Sequence, residues 1–270
     1  MKKAISGKWR MEIDRRFELL SADAKDRSHM RHHFESILID EIPHLLRDSY
    51  RLRYDVYCLE RNFLKAHDYP DCLETDAFDP HSLHFGAMNL HDELVGTVRL
   101  VRPSSAGLPM YHACRLFPEE LHRISQIENL VEISRLAISR RYHKRRGDGA
   151  FALGGAESYG AYPHRYAGRD DKRGNPPVVM SLYKSLYQAS KRQGITHALA
   201  ATEKSLHRLL TEFNFPLRPI GPEVDYFGPV TPYILDIAEL EAILIKKNPS
   251  LLDEFVNGLE MEFRPKLTQA

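Results

Sequence analysis

The sequence predicts one α/β domain in which strands and helices are mixed and the sheet is largely antiparallel at its hairpin end. Three observations carry this. Short β-branched, apolar runs alternate with segments of helical period; two of the strand-like runs meet at a three-residue turn; and no linker is long enough to separate a pair of domains. At 270 residues and 43% hydrophobic, the chain can bury roughly 70–75% of its unfolded surface, enough for a substantial core.

Residues 1–33 are polar and rich in charge and His, with Phe17, Leu19 and Leu20 their apolar cluster, and predict a helical or frayed arm; residues 34–270 form the single domain. Ile37, Leu38 and Ile39 predict a short buried strand ended by Pro43. In residues 45–64 apolar positions recur at helical spacing (Leu46, Tyr50, Tyr54, Tyr57), the pattern of an amphipathic helix or helix pair. An Asp-rich loop over 67–82 precedes strands near 83–90 and 93–103, joined through His91, Asp92 and Glu93 as a hairpin. After a loop with Pro103, Gly107 and Pro109, residues 129–139 read as a strand with Leu130, Glu132, Ser134 and Leu136 on one face and Val131, Ile133 and Arg135 on the other. A purely structural core strand has no use for Glu132 and Arg135. Residues 141–157 form a basic, glycine-containing strand-to-helix turn, and 158–177 hold too many Gly, Pro and charges for a regular element, so they are an inserted loop. A helix over 178–193 closed by Gly194, a strand over 195–202, a helix over 204–215, strands near 218–228 and 231–237 and a helical tail complete the domain.

Thirty-eight Lys and Arg against 37 Asp and Glu leave a formal charge of +1, which argues against a nucleic-acid partner held by excess cations. Cys58, Cys72 and Cys114 make no CxxC pair, so neither a disulfide framework nor a zinc ribbon is expected, and a reducing, cytoplasmic setting fits. The start of the chain lacks a signal-peptide core and no apolar stretch approaches membrane-spanning length. An amphipathic segment is still compatible with peripheral contact at a membrane surface. His29, His32 and His33 form a tight group without HExxH spacing, and no metal is expected.

The densest chemistry follows the 129–139 strand. Arg140, Arg141, Lys144, Arg145 and Arg146 stand immediately before Gly147, Asp148, Gly149 and Ala150. Free N–H groups at a helix start, with glycines that let the backbone approach closely, suit phosphate oxygens; a solvated basic loop is the plain alternative. Lys144 to Gly149 resembles the (Gln/Arg)-x-x-Gly-x-(Gly/Ala) pyrophosphate loop of the GNAT acyltransferases, with Lys144 where that family has Gln or Arg.

A second set of residues resembles, in order and spacing, the signature of the acyl-homoserine-lactone (autoinducer) synthases: Arg53 with Tyr57, Phe63, Glu74 with Asp76 and Asp79, Gly96 with Arg99, and Glu132 with Ser134 and Arg135. The fuller string from Tyr50 to Phe85 is similar to the GNAT-type acyltransferases associated with the PEP-CTERM/exosortase system and to the long-chain N-acyl amino acid synthases. The resemblance spans roughly residues 34–235. Tyr57 and Phe63 replace the Phe and Trp of the autoinducer synthases, and such aromatics shape an acceptor pocket.

The resemblance implies a GNAT fold and transfer of a fatty acyl group from an acyl carrier protein or acyl-CoA thioester to the amine of an amino acid, with no tightly bound cofactor. A synthase of acyl-homoserine lactone using S-adenosylmethionine and a non-catalytic acyl-thioester sensor are the alternatives. Under this reading Arg140, Arg141, Lys144, Arg145, Arg146, Gly147, Gly149 and Ala150 hold the donor's phosphates. Arg53, Arg99 and Arg135 tie Glu74, Asp76 and Asp79 over the active site as an ion network, and Tyr57, Phe63 and Ser134 belong to the network and acceptor pocket. Backbone N–H groups near Leu136 to Ile138 face the thioester oxyanion. Amide formation needs an amine stripped of its proton. Glu132, on a central strand where an unpaired carboxylate is costly, is the expected base, with Glu74 second, and Arg99 is grouped with these two as a catalytic residue; a salt bridge from Glu132 to Arg135 or Arg99 is the structural alternative.

Overall fold

A computed structural model describes residues 34–140 and 177–266. The arm at 1–33, most of the insert and the basic turn from Arg141 to Ala150 lie outside the described residues. The domain opens with β1 (Glu35–Leu38), α1 (Pro43–Tyr54) and a turn of π-helix (Asp55–Glu60), then β2 (Ser82–Met88) and β3 (Leu94–Val101). Two short helices, α2 (Pro109–Ala113) and α3 (Pro118–Ser125), precede β4 (Leu130–Ile138). After the undescribed stretch come α4 (Pro177–Arg192), β5 (His197–Thr202), α5 (Lys204–Glu212), β6 (Arg218–Pro219), β7 (Val224–Asp225), β8 (Pro229–Asp236), α6 (Ile237–Lys247) and α7 (Pro249–Val256).

The sheet runs β1-β2-β3-β4-β5-β8-β6, with β7 paired to β8. Every pairing is antiparallel except β4 with β5. That parallel pairing ends at Ile133↔Ala200, although β4 continues to Ile138 and β5 to Thr202. The two central strands therefore diverge, and β4 runs on without a β5 partner.

Alternation along the strands feeds different environments on the two faces. Val98 and Leu100 of β3 and Val131 of β4 join a large core with α4, α6 and α7. On the opposite face Val101 and Leu130 join a smaller cluster with Met110, Cys114 and Ile124, while Leu52, Val56 and Ala137 form a third. The polar side chains of β3 and β4 rise beside these two smaller clusters.

The structure departs from the sequence reading in four places. The first strand ends at Leu38 with Ile37 and Leu38 half-buried, Ile39 beyond it is the buried residue, and Pro43 does not end the strand but opens α1 at its first turn. The helix over 45–64 divides, because Arg61 N–H bonds to the carbonyl of Val56, five residues back, and the last turn widens into a π-helix. The segment read as loop after Pro103 contains α2 and α3, each with Pro at its first turn; each is too short to show a helical period in sequence. Finally, β4 does not alternate strictly. Arg99 faces Ser134 and Thr97 faces Ala137, so Arg135 and Leu136 together oppose Val98 in a β-bulge, and Arg135 has φ of 54°. Leu136 consequently packs against the large core, and Arg135 turns to the face of Glu132 and Ser134. Among the described residues no helix is long and apolar enough to cross a membrane.

Candidate active site

The site is assembled on the face carrying Arg99, Glu132, Ser134 and Arg135, and the loop from Glu74 to Asp79 lies over it. Arg53, fully buried on α1, donates through Nε to Glu74 Oε2 and through Nη1 and Nη2 to Asp79 at 2.7 and 3.2 Å. Arg99 donates through Nη1 to Asp76 Oδ1 at 2.6 Å and to Asp79 Oδ1 at 2.8 Å, through Nη2 to Asp76 Oδ2 at 3.0 Å, and through Nε to Ser134 Oγ at 3.2 Å. Arg135 completes the set, with Nε 3.1 Å from Glu74 Oε1 and Nη2 3.2 Å from Asp76 Oδ2. Bidentate guanidinium–carboxylate pairs fix both distance and orientation.

Burial by itself would raise the pKa of Asp79, but hydrogen bonds from His84 and Arg53 and the charges of Arg53 and Arg99 hold it well below the usual carboxylate range. Asp76 is lowered in the same way, with Arg99 and Arg135 outweighing burial. Glu74, read as a second candidate base, has both oxygens engaged by Arg53 and Arg135 and is completely buried. Arg99, read among the catalytic residues, points into this carboxylate network.

Glu132 stands apart. It is buried on β4, and among the described residues its hydrogen bond is to the backbone: Met110 N–H, in the first turn of α2, donates to Oε2 at 2.8 Å. Burial pushes its pKa up to about 7 against the opposing Met110 bond and the charges of Arg99 and Arg135. The expected alternative, a salt bridge to Arg135 or Arg99, is not formed among the described residues, because both guanidiniums are committed to Glu74, Asp76 and Asp79. Cys114 feels both burial and the Glu132 charge, and its thiol rises to about 11. Burial likewise raises Cys58, so neither thiol is poised as a nucleophile.

Aromatic side chains wall the same face. The Tyr57 hydroxyl, on the π-helical turn, donates to the carbonyl of Leu136 at 2.8 Å, and its ring stacks on Phe63 at 6.4 Å between centroids. The Arg135 guanidinium lies 5.6 Å from the Tyr57 ring centroid and 6.0 Å from that of Phe227. Phe227 has φ of 56° and precedes Gly228, where an added Cβ would meet the Phe63 ring at 3.4 Å.

The structure thus brings together Arg53, Tyr57, Phe63, Glu74, Asp76, Asp79, Arg99, Glu132, Ser134 and Arg135. Of the residues assigned to phosphate binding, Arg140 is described and exposed; Arg141, Lys144, Arg145, Arg146, Gly147, Gly149 and Ala150 lie outside the described residues. Sequence reasoning missed His84, Asp40, Met110 and Phe227. A single His in a strand-like run, or a backbone N–H 22 residues from its acceptor, leaves no local signal; the alternation of LHFGAM alone could have marked His84 as facing the carboxylate loop.

Residues 52–151 match the family described as the acetyltransferase (GNAT) domain. No curated protein matches the chain. Among solved structures, the AHL synthase LasI is 16% identical, covering 77% of this chain and 91% of its own, with a TM-score of 0.51. The CoA-dependent acyl-homoserine lactone synthase BjaI, in its structure with MTA, is 19% identical over 85% of this chain and 90% of its own, with a TM-score of 0.51. FeeM, an N-acyl amino acid synthase from uncultured soil microbes, is 15% identical over 78% of this chain and 94% of its own, with a TM-score of 0.48. The match to the acetyltransferase (GNAT) domain over residues 52–151 and the fold shared with LasI and BjaI together support an acyltransferase.

Proposed function

We propose that the protein transfers a fatty acyl group from an acyl carrier protein or acyl-CoA thioester to the amine of an amino acid. The observation that carries this reading is Glu132: a buried carboxylate without an ion pair among the described residues, anchored through one oxygen and with a pKa near 7. Such a group takes a proton from an ammonium at neutral pH, directly or through a water. The freed amine attacks the thioester carbonyl; a C–N bond forms, the C–S bond breaks, and the pantetheine sulfur leaves as a thiol after regaining a proton. The stretch of β4 beyond Ile133, splayed from β5, suits an acyl-pantetheine arm whose oxyanion faces backbone N–H groups. The basic turn at 140–150 would hold its phosphates.

An amino-acid acceptor is supported by Arg135. Its Nη1 has no acceptor among the described residues, while the ring faces of Tyr57 and Phe227 flank the guanidinium. A guanidinium edge between aromatic walls suits a carboxylate on an apolar stem. The fold shared with LasI and BjaI favours a second reading, acyl-homoserine lactone synthesis from S-adenosylmethionine, which also presents an amine and a carboxylate.

Incubation of the purified chain with acyl carrier protein and CoA thioesters, a panel of amino acids, and S-adenosylmethionine separates the two when products are read by mass spectrometry. N-acyl amino acids with release of free thiol are expected. Lactone as the sole product would establish the second reading, and no thiol released with any acceptor would sink both.

A further inference from the structure

Asp79 is shared by three cationic side chains, and one of them is not an arginine. His84, buried on β2, places Nε2 2.9 Å from Asp79 Oδ1 and Nδ1 2.8 Å from Asp40 Oδ1. Its backbone N–H also donates to Asp40 Oδ2 at 2.9 Å. An ionised carboxylate offers lone pairs alone, so each ring contact needs a proton on the nitrogen. A neutral imidazole carries one proton; its other nitrogen would aim a lone pair at a carboxylate oxygen within 3 Å, away from water. Placing the missing proton on Asp79 conflicts with the Arg53, Arg99 and Asp76 N–H donors that its two oxygens already accept.

We infer that His84 is a positioning residue held as an imidazolium, tying Asp79, and through it the Arg99–Asp76 pair beside Glu132, to Asp40 two residues beyond β1. The groups facing it come from four directions: Asp40 after β1, Asp79 from the loop, Tyr50 with Arg53 from α1, and Arg99 opposite on β3. The Tyr50 ring meets the imidazole edge-on at 5.6 Å and stays neutral, its pKa pushed up to about 12 by burial and the Asp79 charge. Arg53 pairs with Glu74 as well as Asp79, and Arg99 with Asp76 as well as Asp79. Burial alone would lower the pKa of His84, but hydrogen bonds to Asp40 and Asp79 and their charges raise it. The effect on turnover rests on the acyl-transfer reading above; the charge state does not.

Two measurements on the full chain test this. In ¹⁵N-histidine NMR, with the His84 signal assigned by its loss in His84→Gln, both ring nitrogens are expected to be protonated at pH 7. In Asp40→Asn the titration should fall by about one pH unit or more, as removal of a neighbouring charge requires. One bare nitrogen at pH 7 overturns the inference. Thioester turnover is expected to fall about tenfold in His84→Gln, the scale of a small misplacement at the reacting centre, and in Asp40→Asn its alkaline limb should move to lower pH. If His84→Gln does not fold, assignment by exclusion from the other histidine variants and the Asp40→Asn profile decide; an unmoved alkaline limb there overturns the positioning role. Absence of any turnover in the unmodified chain would count against the acyl-transfer reading alone, because the NMR result stands without it.

Discussion

At the scale of single residues, the balance of forces on Glu132 separates a working carboxylate from a structural one. Glu74, Asp76 and Asp79 sit among guanidiniums that offset the cost of burial, whereas Glu132 has, among the described residues, one backbone N–H. Its folded-state pKa near 7 exceeds the ordinary value for Glu, about 4.3. Stability from the protonated form is therefore fully present below about pH 4 and lost as pH rises towards 7. Glu132→Gln keeps an oxygen to accept from Met110 and removes the desolvated charge. At pH 8 the substitution should raise stability by about 1–3 kcal/mol, read as a shift in urea midpoint, while lowering amide formation by about 10²-fold or more. A variant that melts earlier and acylates at the normal rate would refute the assignment. The rate of acyl transfer in the unmodified chain should rise with pH through about 7, with a slope of one proton, and Glu132→Gln should abolish that rise.

At the scale of elements, the bulge in β4 and the loop over it act as one unit. Without the extra residue at Arg135, strict alternation would send its guanidinium into the large apolar core; the bulge delivers it to Glu74 and Asp76 instead. Breaking one member of a buried ion network strands the others. Asp79→Asn is expected to cost about 3–5 kcal/mol in equilibrium unfolding, more than its share of one hydrogen bond, since Arg53, Arg99 and His84 all lose an anion. The π-helical turn has a matching role, because it carries the Tyr57 hydroxyl to the Leu136 carbonyl. Tyr57→Phe should lose about 1 kcal/mol and raise KM for the acceptor more than it lowers kcat. The segment bearing α2 and α3 is fastened to the far side of the sheet through Phe117 N–H and the Ile220 carbonyl, 2.9 Å apart. An added Cβ at Gly221 would lie 2.2 Å from the Arg115 carbonyl oxygen. Neither backbone can yield cheaply, so Gly221→Ala is expected to destabilise by about 2 kcal/mol or more.

For the whole molecule, the titrating groups oppose one another, and their signs fix the shape of its pH–stability curve. Asp76 and Asp79, depressed by their guanidinium partners, give stability that is present above their unfolded values and lost as pH falls through the folded ones. Glu132 and His84, both raised, give stability that is present in acid and lost as pH rises. Thermal midpoints should therefore peak in the weakly acidic range, at about pH 4–6 from the reference values, and decline towards pH 8. A midpoint that climbs steadily to pH 8 would show that the buried network is balanced otherwise. The decline should be smaller in Glu132→Gln, because one of the two responsible groups is gone.

Much of this architecture is legible in one dimension. The hairpin, the helix closed by Gly194 at φ of 67°, the alternating strands and the order of Arg, Glu and Asp from 53 to 135 are local patterns, and local patterns follow from period, turn chemistry and residue type. Which carboxylate pairs with which guanidinium is not local. Arg53 meets Glu74 across 21 residues and Arg135 meets the same Glu across 61, so each partner is chosen by sheet register and by a one-residue bulge that spacing alone does not reveal. The same holds for Glu132, whose separation from the arginines of the network and bond to Met110 arise from the packing of α2 against β4. Residue chemistry thus determined the cast of groups, and the three-dimensional packing decided their roles, because burial and the distance to a counter-charge set the energy of a buried ion.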